Sequence, residues 1–192
     1  MDGVQETSDN LIDAAAQVFA ERGYAEATTR SIAERAGVNE VTLFRRFGSK
    51  SDLMLAAFDR VAERFAPITA APSEDVRSDL MRLATTYQTC VAENAVFLMT
   101  MLLEMRRRPE LANGHDIQSR LIERASRLIR SHQDAGRLCA APPPVLAAKL
   151  LAPFLLLALA EHIPAVHRIV IDIDEHVDRF LLGHGPDSAN SS

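Results

Sequence analysis

Apolar residues recur at three- and four-residue spacing along nearly the whole chain, and that period belongs to the α-helix. Leu11, Ala14, Ala15, Val18 and Phe19 form one face of a first helix, closed near Gly23, with Ser8 as the expected N-cap. Two short helices are expected at about Thr29 to Ala36 and Glu40 to Phe47. A longer one runs from about Lys50 to Ala66, opened by the capping-box spacing of Ser49-Lys50-Ser51-Asp52. Five more follow at about Asp75 to Glu93, Ala95 to Arg107, Pro109 to Gln133, Pro144 to His162 and Ala165 to Leu182. The last carries the β-branched run Ile169-Val170-Ile171, which propensity disfavours in a helix. Val166, Ile169, Val170, Ile173, Val177, Phe180 and Leu181 nevertheless keep helical spacing, so helix is the expectation. The predicted class is all-α, with nine helices. Pro67 and Ala70-Ala71-Pro72-Ser73 break the pattern and divide an N-terminal domain (1–66) from a larger one (67–182), followed by a small, polar tail (183–192).

Composition excludes several classes. The chain has 192 residues, 47% of them hydrophobic, which is too apolar for a disordered polymer. Two cysteines, Cys90 and Cys139, cannot build a disulfide framework, and no secretory signal opens the chain. The longest apolar run, Leu150 to Ala160, has eleven residues, against roughly 20 for a membrane span. A cytoplasmic protein with no membrane partner is the expectation. The formal net charge of −5 and pI near 5.7 argue at first against a nucleic-acid partner.

Local charge reverses that argument. Residues 1–27 sum to −5, residues 28–50 to +3, and the remaining residues to −3. The positive block is also the most informative stretch. Two short helices meet at Ala36-Gly37-Val38, where Gly37 supplies a backbone shape that costs other residues more. Val38, with Ile32, Ala33 and Leu43, is placed to fill the angle between them, and Asn39 to cap the second. This is the pattern of a helix-turn-helix unit. Of the 19 arginines, several lie here, although genome base composition explains an arginine bias more often than phosphate recognition does.

Residues from about Leu11 to Leu55 resemble the DNA-binding domain of the TetR family of bacterial transcriptional regulators. The resemblance rests on Ala15…Phe19-Ala20-Glu21-Arg22-Gly23-Tyr24, on Thr28-Thr29…Ile32-Ala33…Ala36-Gly37-Val38, and on Thr42-Leu43-Phe44…Phe47…Ser49-Lys50…Asp52-Leu53. It covers about a quarter of the chain and implies a TetR-like architecture. By that resemblance Thr28 and Thr29 bind phosphate, and Arg30 reaches a base edge or phosphate. Asn39 to Arg46 form the recognition helix. Glu40, Val41 and Thr42 meet bases there, and Arg45 and Arg46 meet bases or phosphates. Lys50 clamps a phosphate at the start of the next helix. Two positions depart from the family pattern. Phe44 stands where the family usually has tyrosine, so a phosphate-touching hydroxyl is lost. Glu40 is an acid where one is rarely favoured, and either accepts from a cytosine amino group or points to solvent, the latter slightly preferred.

The C-terminal domain lacks a comparable signature. Leu150 to Ala160 is apolar all round, so it must be covered on every side: one side by the chain's own core and the other by a two-fold partner, with burial within one protomer as the alternative. Leu151, Phe154, Leu155, Ala158, Ile169, Ile173 and Val177 are the expected dimer residues. Tyr87, Cys90, Phe97, Met101, Met105, Leu121 and Ala125 are the expected lining of a pocket for a small hydrophobic effector. Any one of them could equally be ordinary core. The six histidines show no metal-ligand spacing and are expected at the surface or an interface. No catalytic constellation, metal site or cofactor is expected. The predicted function is a homodimeric repressor of a palindromic operator in double-stranded DNA, released when the effector enters, with the helix from Lys50 as the lever. The rivals are an activator or effector-independent regulator and, in another class, an all-α small-molecule-binding protein or enzyme.

Overall fold

A computed structural model describes residues 2–63, 72–108, 117–162 and 169–186. Among them the chain forms eight helices: α1 (Asp2–Glu26), α2 (Thr29–Arg35), α3 (Glu40–Phe47), α4 (Lys50–Glu63), α5 (Val76–Arg107), α6 (Ile117–Asp134), α7 (Pro143–Ala160) and α8 (Ile173–His184). The all-α expectation holds. Two compact units divide the chain, one containing Met1–Glu63 and Val96–Ile117, the other the remainder. The C-terminal third of α5 thus belongs to the first unit and its start to the second.

In the first unit α1 packs on α2 and α4, and α2 on α3. The expected face of α1, Leu11, Ala14, Ala15, Val18 and Phe19, is buried, as are Ile32 and Ala33 of α2, Leu43 of α3 and Leu53, Met54 and Ala57 of α4. Phe58 meets Phe97 with ring centroids 6.3 Å apart. In the second unit Leu80, Leu83, Ala84 and Tyr87 of α5 are buried, as are Ala125, Leu128 and Ile129 of α6, Leu146, Leu150 and Phe154 of α7, and Val177 and Phe180 of α8.

Three expectations are corrected. α1 begins at Asp2, and Ser8 lies inside it, its hydroxyl donating to the Val4 carbonyl instead of capping. The helix is interrupted at Gly23, which has φ 72° and ψ 168°. The two helices expected at Asp75 to Glu93 and Ala95 to Arg107 are one helix of 32 residues. No proline or glycine breaks it, and Asn94 donates its amide back to the Cys90 carbonyl (2.8 Å), which leaves the backbone ladder intact. The final helix starts only at Ile173, where the Asp172 carboxylate accepts from the Glu175 N–H (3.1 Å). Ile169 and Val170 lie outside it and are exposed, so the β-branched run follows its propensity and not its period. The stretches expected to be helical at 64–66, 109–116 and 165–168, and most of the tail (187–192), lie outside the described residues.

α7 has the length and composition of a membrane-crossing helix, with mean hydropathy 1.9, but a third of that span is buried inside the protein. It carries Lys149, and the face of Leu146, Leu150, Phe154 and Ala158 is spent in the second unit's core.

Candidate nucleic-acid interface

Local bonding alone explains the shape of the segment from Thr28 to Asp52. Thr28 has extended backbone, and its hydroxyl accepts from the Ser31 N–H (3.0 Å) while the Ser31 hydroxyl accepts from the Thr28 N–H (3.3 Å). This reciprocal box fixes the start of α2. At the other end Gly37 has φ 70°, and the Val38 N–H bonds to Ala33 O (3.0 Å) and the Gly37 N–H to Glu34 O (3.2 Å). Those two bonds are a Schellman ending, which needs a left-handed residue and so favours glycine. Asn39 Oδ1 then accepts from the Thr42 N–H (2.8 Å) and starts α3. Gly48, at φ 75°, ends it. Ser49 opens α4 as expected, accepting from the Asp52 N–H (3.0 Å) and donating to its carboxylate (2.6 Å).

This scaffold turns one arc of α3 outward. At about 100° per residue, Leu43, Phe47 and Glu40 fall toward the body, and Phe44, Val41 and Arg45 fall together on the opposite side. Leu43 is fully buried, whereas Val41 is 74% and Phe44 47% exposed. Arg45 is exposed and forms no hydrogen bond or ion pair among the described residues.

The other cations of the segment are partly or wholly committed within the protein. Arg30 pairs with Glu34 on the surface (2.9 Å). Arg35 holds Glu21 through both terminal guanidinium nitrogens, Nη1 and Nη2, at 2.5 and 2.8 Å. Arg46 donates to the Ser8 hydroxyl of α1 (3.3 Å), and its Nε is buried without a hydrogen-bond partner among the described residues. Lys50 donates to the Tyr24 and Ala27 carbonyls (2.7 and 2.8 Å) and lies 4.2 Å from the Tyr24 ring centroid. Burial, then the nearby Arg108 guanidinium, push the Lys50 pKa below its ordinary value, against the pull of Glu104. The carbonyl-bound position of Lys50 is a helix-end clamp as much as a route to phosphate. Thr42 donates its hydroxyl to Asn39 (3.0 Å), and Thr29 donates its hydroxyl to Glu40. Glu40 therefore neither projects into solvent nor stands free toward a base.

Several of these partners escaped sequence reading. Tyr24 stacks on Phe19 (5.6 Å), bonds to the Ser51 hydroxyl (2.8 Å), and has the Arg108 guanidinium 5.0 Å from its centroid. Gly48 had a local signal, since it follows the last apolar residue of α3. The contacts of Tyr24 with Ser51 and Arg108, and of Arg35 with Glu21, had none, because these partners are remote in sequence.

The residues expected around an effector are divided between the units. Phe97 and Met101 are buried, and Met105 half-buried, in the first, while Tyr87, Cys90 and Ala125 are buried in the second. Leu121 has no described side chain. Burial pushes the Tyr87 pKa up to about 12, with Cys90 as the lesser cause. Two grooves open on the second unit. One of about 840 Å³ runs along α6 past Ile122, Ser126, Arg130 and Pro144, and one of about 310 Å³ lies by Thr89, Phe154, Ala158 and Ile169. Neither is lined by Tyr87, Cys90 or Ala125.

Of the residues expected at a dimer contact, Leu151, Phe154, Ala158 and Val177 are buried within the chain itself, and the Phe154 ring meets His176 edge-on at 5.1 Å. Leu155 and Ile173 are half-buried and Ile169 is 57% exposed. Period alone cannot distinguish a face turned to the chain's own core from one turned to a partner. The open side of α7 carries Ala152 and Leu156.

The expectation of surface histidines fails at His132, which is fully buried. Its Nε2 lies 3.0 Å from Asp79 Oδ2 and its Nδ1 3.2 Å from Arg137 Nη1. Because a guanidinium only donates, Nδ1 is the acceptor and Nε2 carries the proton given to Asp79. Asp79 also accepts from the Ser73 N–H (2.7 Å) and from Arg82. Burial raises the Asp79 pKa, but those hydrogen bonds outweigh it and hold the carboxyl below its usual range. Among the described residues no group of histidine, cysteine or carboxylate side chains is arranged to hold a metal.

Two capped short helices, a left-handed glycine turn and one outward arc make residues 28–52 a helix-turn-helix module of the DNA-binding class. Residues 11–57 match the family model for bacterial regulatory proteins of the tetR family. Over 79 residues the chain is 34% identical to YvkB of Bacillus subtilis, an uncharacterised HTH-type transcriptional regulator, covering 41% of this chain and 42% of that one. It is 34% identical over 82 residues to the HTH-type transcriptional repressor Rv3405c of Mycobacterium tuberculosis, covering 42% and 44%. The match thus spans less than half of either relative. Among solved structures, the fatty acid degradation regulator FadR from Bacillus halodurans superposes with TM-score 0.70 at 20% identity, covering 92% of this chain and 93% of that one. The flavonoid-responsive regulator FrrA superposes with TM-score 0.68 at 22% identity, covering 94% and 98%. These two establish likeness of fold. Residues 11–57 thus form a DNA-binding domain of the TetR type, in a chain whose fold is like that of solved TetR-family regulators.

Proposed function

We propose that the protein is a homodimeric, sequence-specific transcriptional repressor that binds a palindromic operator through α3 and leaves it when a small hydrophobic molecule enters the second unit. The observation that carries the reading is the open arc of α3, Phe44, Val41 and Arg45, on a scaffold whose other polar groups are largely committed. An α-helix so presented fits the major groove, and two-fold symmetry spaces two of them about one helical turn of DNA apart. Repression is favoured by the likeness to Rv3405c, a transcriptional repressor. A dimer is supported by the uncovered side of α7, where Leu156 is 67% exposed on a helix whose one charged residue is Lys149. An apolar effector is supported by the burial of Tyr87 and Cys90 in the second unit and by the likeness of fold to FrrA, a flavonoid-responsive regulator. The effector acts by favouring a dimer state whose reading helices no longer match successive grooves.

The test is selection of duplexes from a random library with the full chain, then a salt titration of the recovered duplex. A steep fall of affinity with salt is expected despite the acidic total. Failure to enrich any sequence overturns the reading. Light scattering should give twice the 21.1 kDa chain mass. The chain has no tryptophan and two tyrosines, Tyr24 and Tyr87. Tyrosine fluorescence therefore reports on ligands directly, with naringenin and palmitate as probes. An apolar probe that alters this signal should also release the duplex. Tight binding without release overturns the effector mechanism.

A further inference from the structure

Two large apolar side chains stand side by side on the outward arc of α3, Val41 at 74% and Phe44 at 47% exposure. Single exposed hydrophobics are ordinary. A pair on the reading arc beside Arg45, which has no partner among the described residues, is a built surface with the buried Leu43 behind it. The polar side chains that would otherwise define the arc are turned aside. Glu40 accepts from Thr29, and Thr42 donates to Asn39. Phe44 has no hydroxyl to offer a phosphate, so its ring edge serves only an apolar contact. In the major groove of unmodified DNA the apolar group on a base edge is the 5-methyl of thymine. Val41 adds a β-branched side chain with one strongly preferred rotamer in a helix, which fixes where its methyls lie.

We infer that α3 reads thymine 5-methyl groups through Val41 and Phe44, with Arg45 contacting an adjacent guanine. This rests on the DNA-binding reading above and names the bases that reading would recognise. Specificity of this kind depends on the methyl carbon alone, since uracil presents the same hydrogen-bonding edge.

The experiment replaces each dT of the selected duplex by dU, one position at a time, and measures affinity by fluorescence anisotropy with the full chain. At one or two positions per half-site the exchange should weaken binding about fourfold, the worth of one buried carbon. In the double variant Val41→Ala, Phe44→Ala the same exchange should leave affinity unchanged, because nothing remains to meet the methyl. Both substitutions are at exposed positions, and an unchanged melting temperature verifies the fold; Val41→Ser alone gives a second, milder loss of the dU effect. A selected duplex that shows no dU penalty, or the same penalty in the double variant, overturns the methyl readout and leaves DNA binding standing. Enrichment of no duplex overturns both.

Discussion

Arg45 on α3 and His132 on α6 are treated in opposite ways. Arg45 is exposed, and none of its donors is used among the described residues. His132 is fully buried, with Asp79 and Arg137 on its two ring nitrogens. The contrast runs through both units. Around α3 the polar groups off the arc are largely committed, and the arc keeps its donors and apolar surface open. In the second unit the buried Asp79 and His132 bond to each other and, toward the surface, to Ser73 and Arg137. A surface meant for a ligand leaves hydrogen-bonding capacity unspent, and a core saturates it.

The largest effect should come from breaking the saturated side. Asp79→Ala leaves the His132 Nε2–H without an acceptor in the core and removes the acceptor of the Ser73 N–H and of one Arg82 donor nearer the surface. A loss of about 3 kcal/mol is expected, typical of removing one member of a buried pair; urea unfolding followed by circular dichroism measures it. The pH dependence has a fixed sign. The folded Asp79 pKa lies below the unfolded one, so the carboxylate stabilises the fold above the unfolded value, about 3.9. That stability drains away as pH falls from there through the folded pKa. The variant should lack this part of the acid sensitivity. A loss below about 1 kcal/mol, within the range of an ordinary hydrogen bond, would show that the network is not saturated as described.

The open side is broken by Arg45→Ala. Affinity for the selected duplex should fall about 10- to 100-fold, with discrimination lost at one base position, and the melting temperature should not move. Arg46→Ala should instead lower both, because Arg46 bonds to Ser8 of α1. Equal behaviour of the two variants would erase the distinction between a free and a committed arginine.

How much of this was legible in the sequence follows from the distance between partners. The helix-turn-helix was readable because its determinants are local: Asn39 reaches Thr42, Ser49 reaches Asp52, and Gly37 turns the chain in place. Lys50 and Tyr24 are 26 residues apart, and His132 and Asp79 are 53 apart, so no spacing rule joins them. The family resemblance predicted a phosphate clamp at Lys50, while the fold binds its ammonium to two carbonyls. The extra helix boundary at Asn94 and the early start of the last helix came from reading a period through residues whose side chains decide the matter locally, Asn94 and Asp172. The face of α7 was identified correctly as apolar, but its period could not say that Phe154 and Ala158 are already spent in the chain's own core.

A smaller effect isolates the turn that presents the arc. Gly37 has φ 70°, and a Cβ built there meets nothing within 4 Å. Gly37→Ala therefore carries only the backbone cost of the left-handed conformation, about 1 kcal/mol. Thermal melting should show that loss while base preference is unchanged. A change of preference would mean that the turn also sets the angle of α3, linking stability to readout.

The smallest effect tests whether Glu40 is spent or merely resting. Its carboxylate accepts from the Thr29 hydroxyl, and an amide oxygen can accept the same bond. Glu40→Gln should thus keep the geometry and remove one negative charge from a helix that approaches phosphates. Within a Debye length of about 10 Å at 0.1 M salt, that charge is felt. Affinity should rise about two- to threefold at low salt, and the gain should fade as salt screens it. The opposite result would be more informative. A fall in affinity confined to duplexes with cytosine at one position would mean that the carboxylate leaves Thr29 and accepts from the cytosine amino group. Glu40 would then belong to the open side of the comparison, and its bond to Thr29 would be the resting position of a reading group.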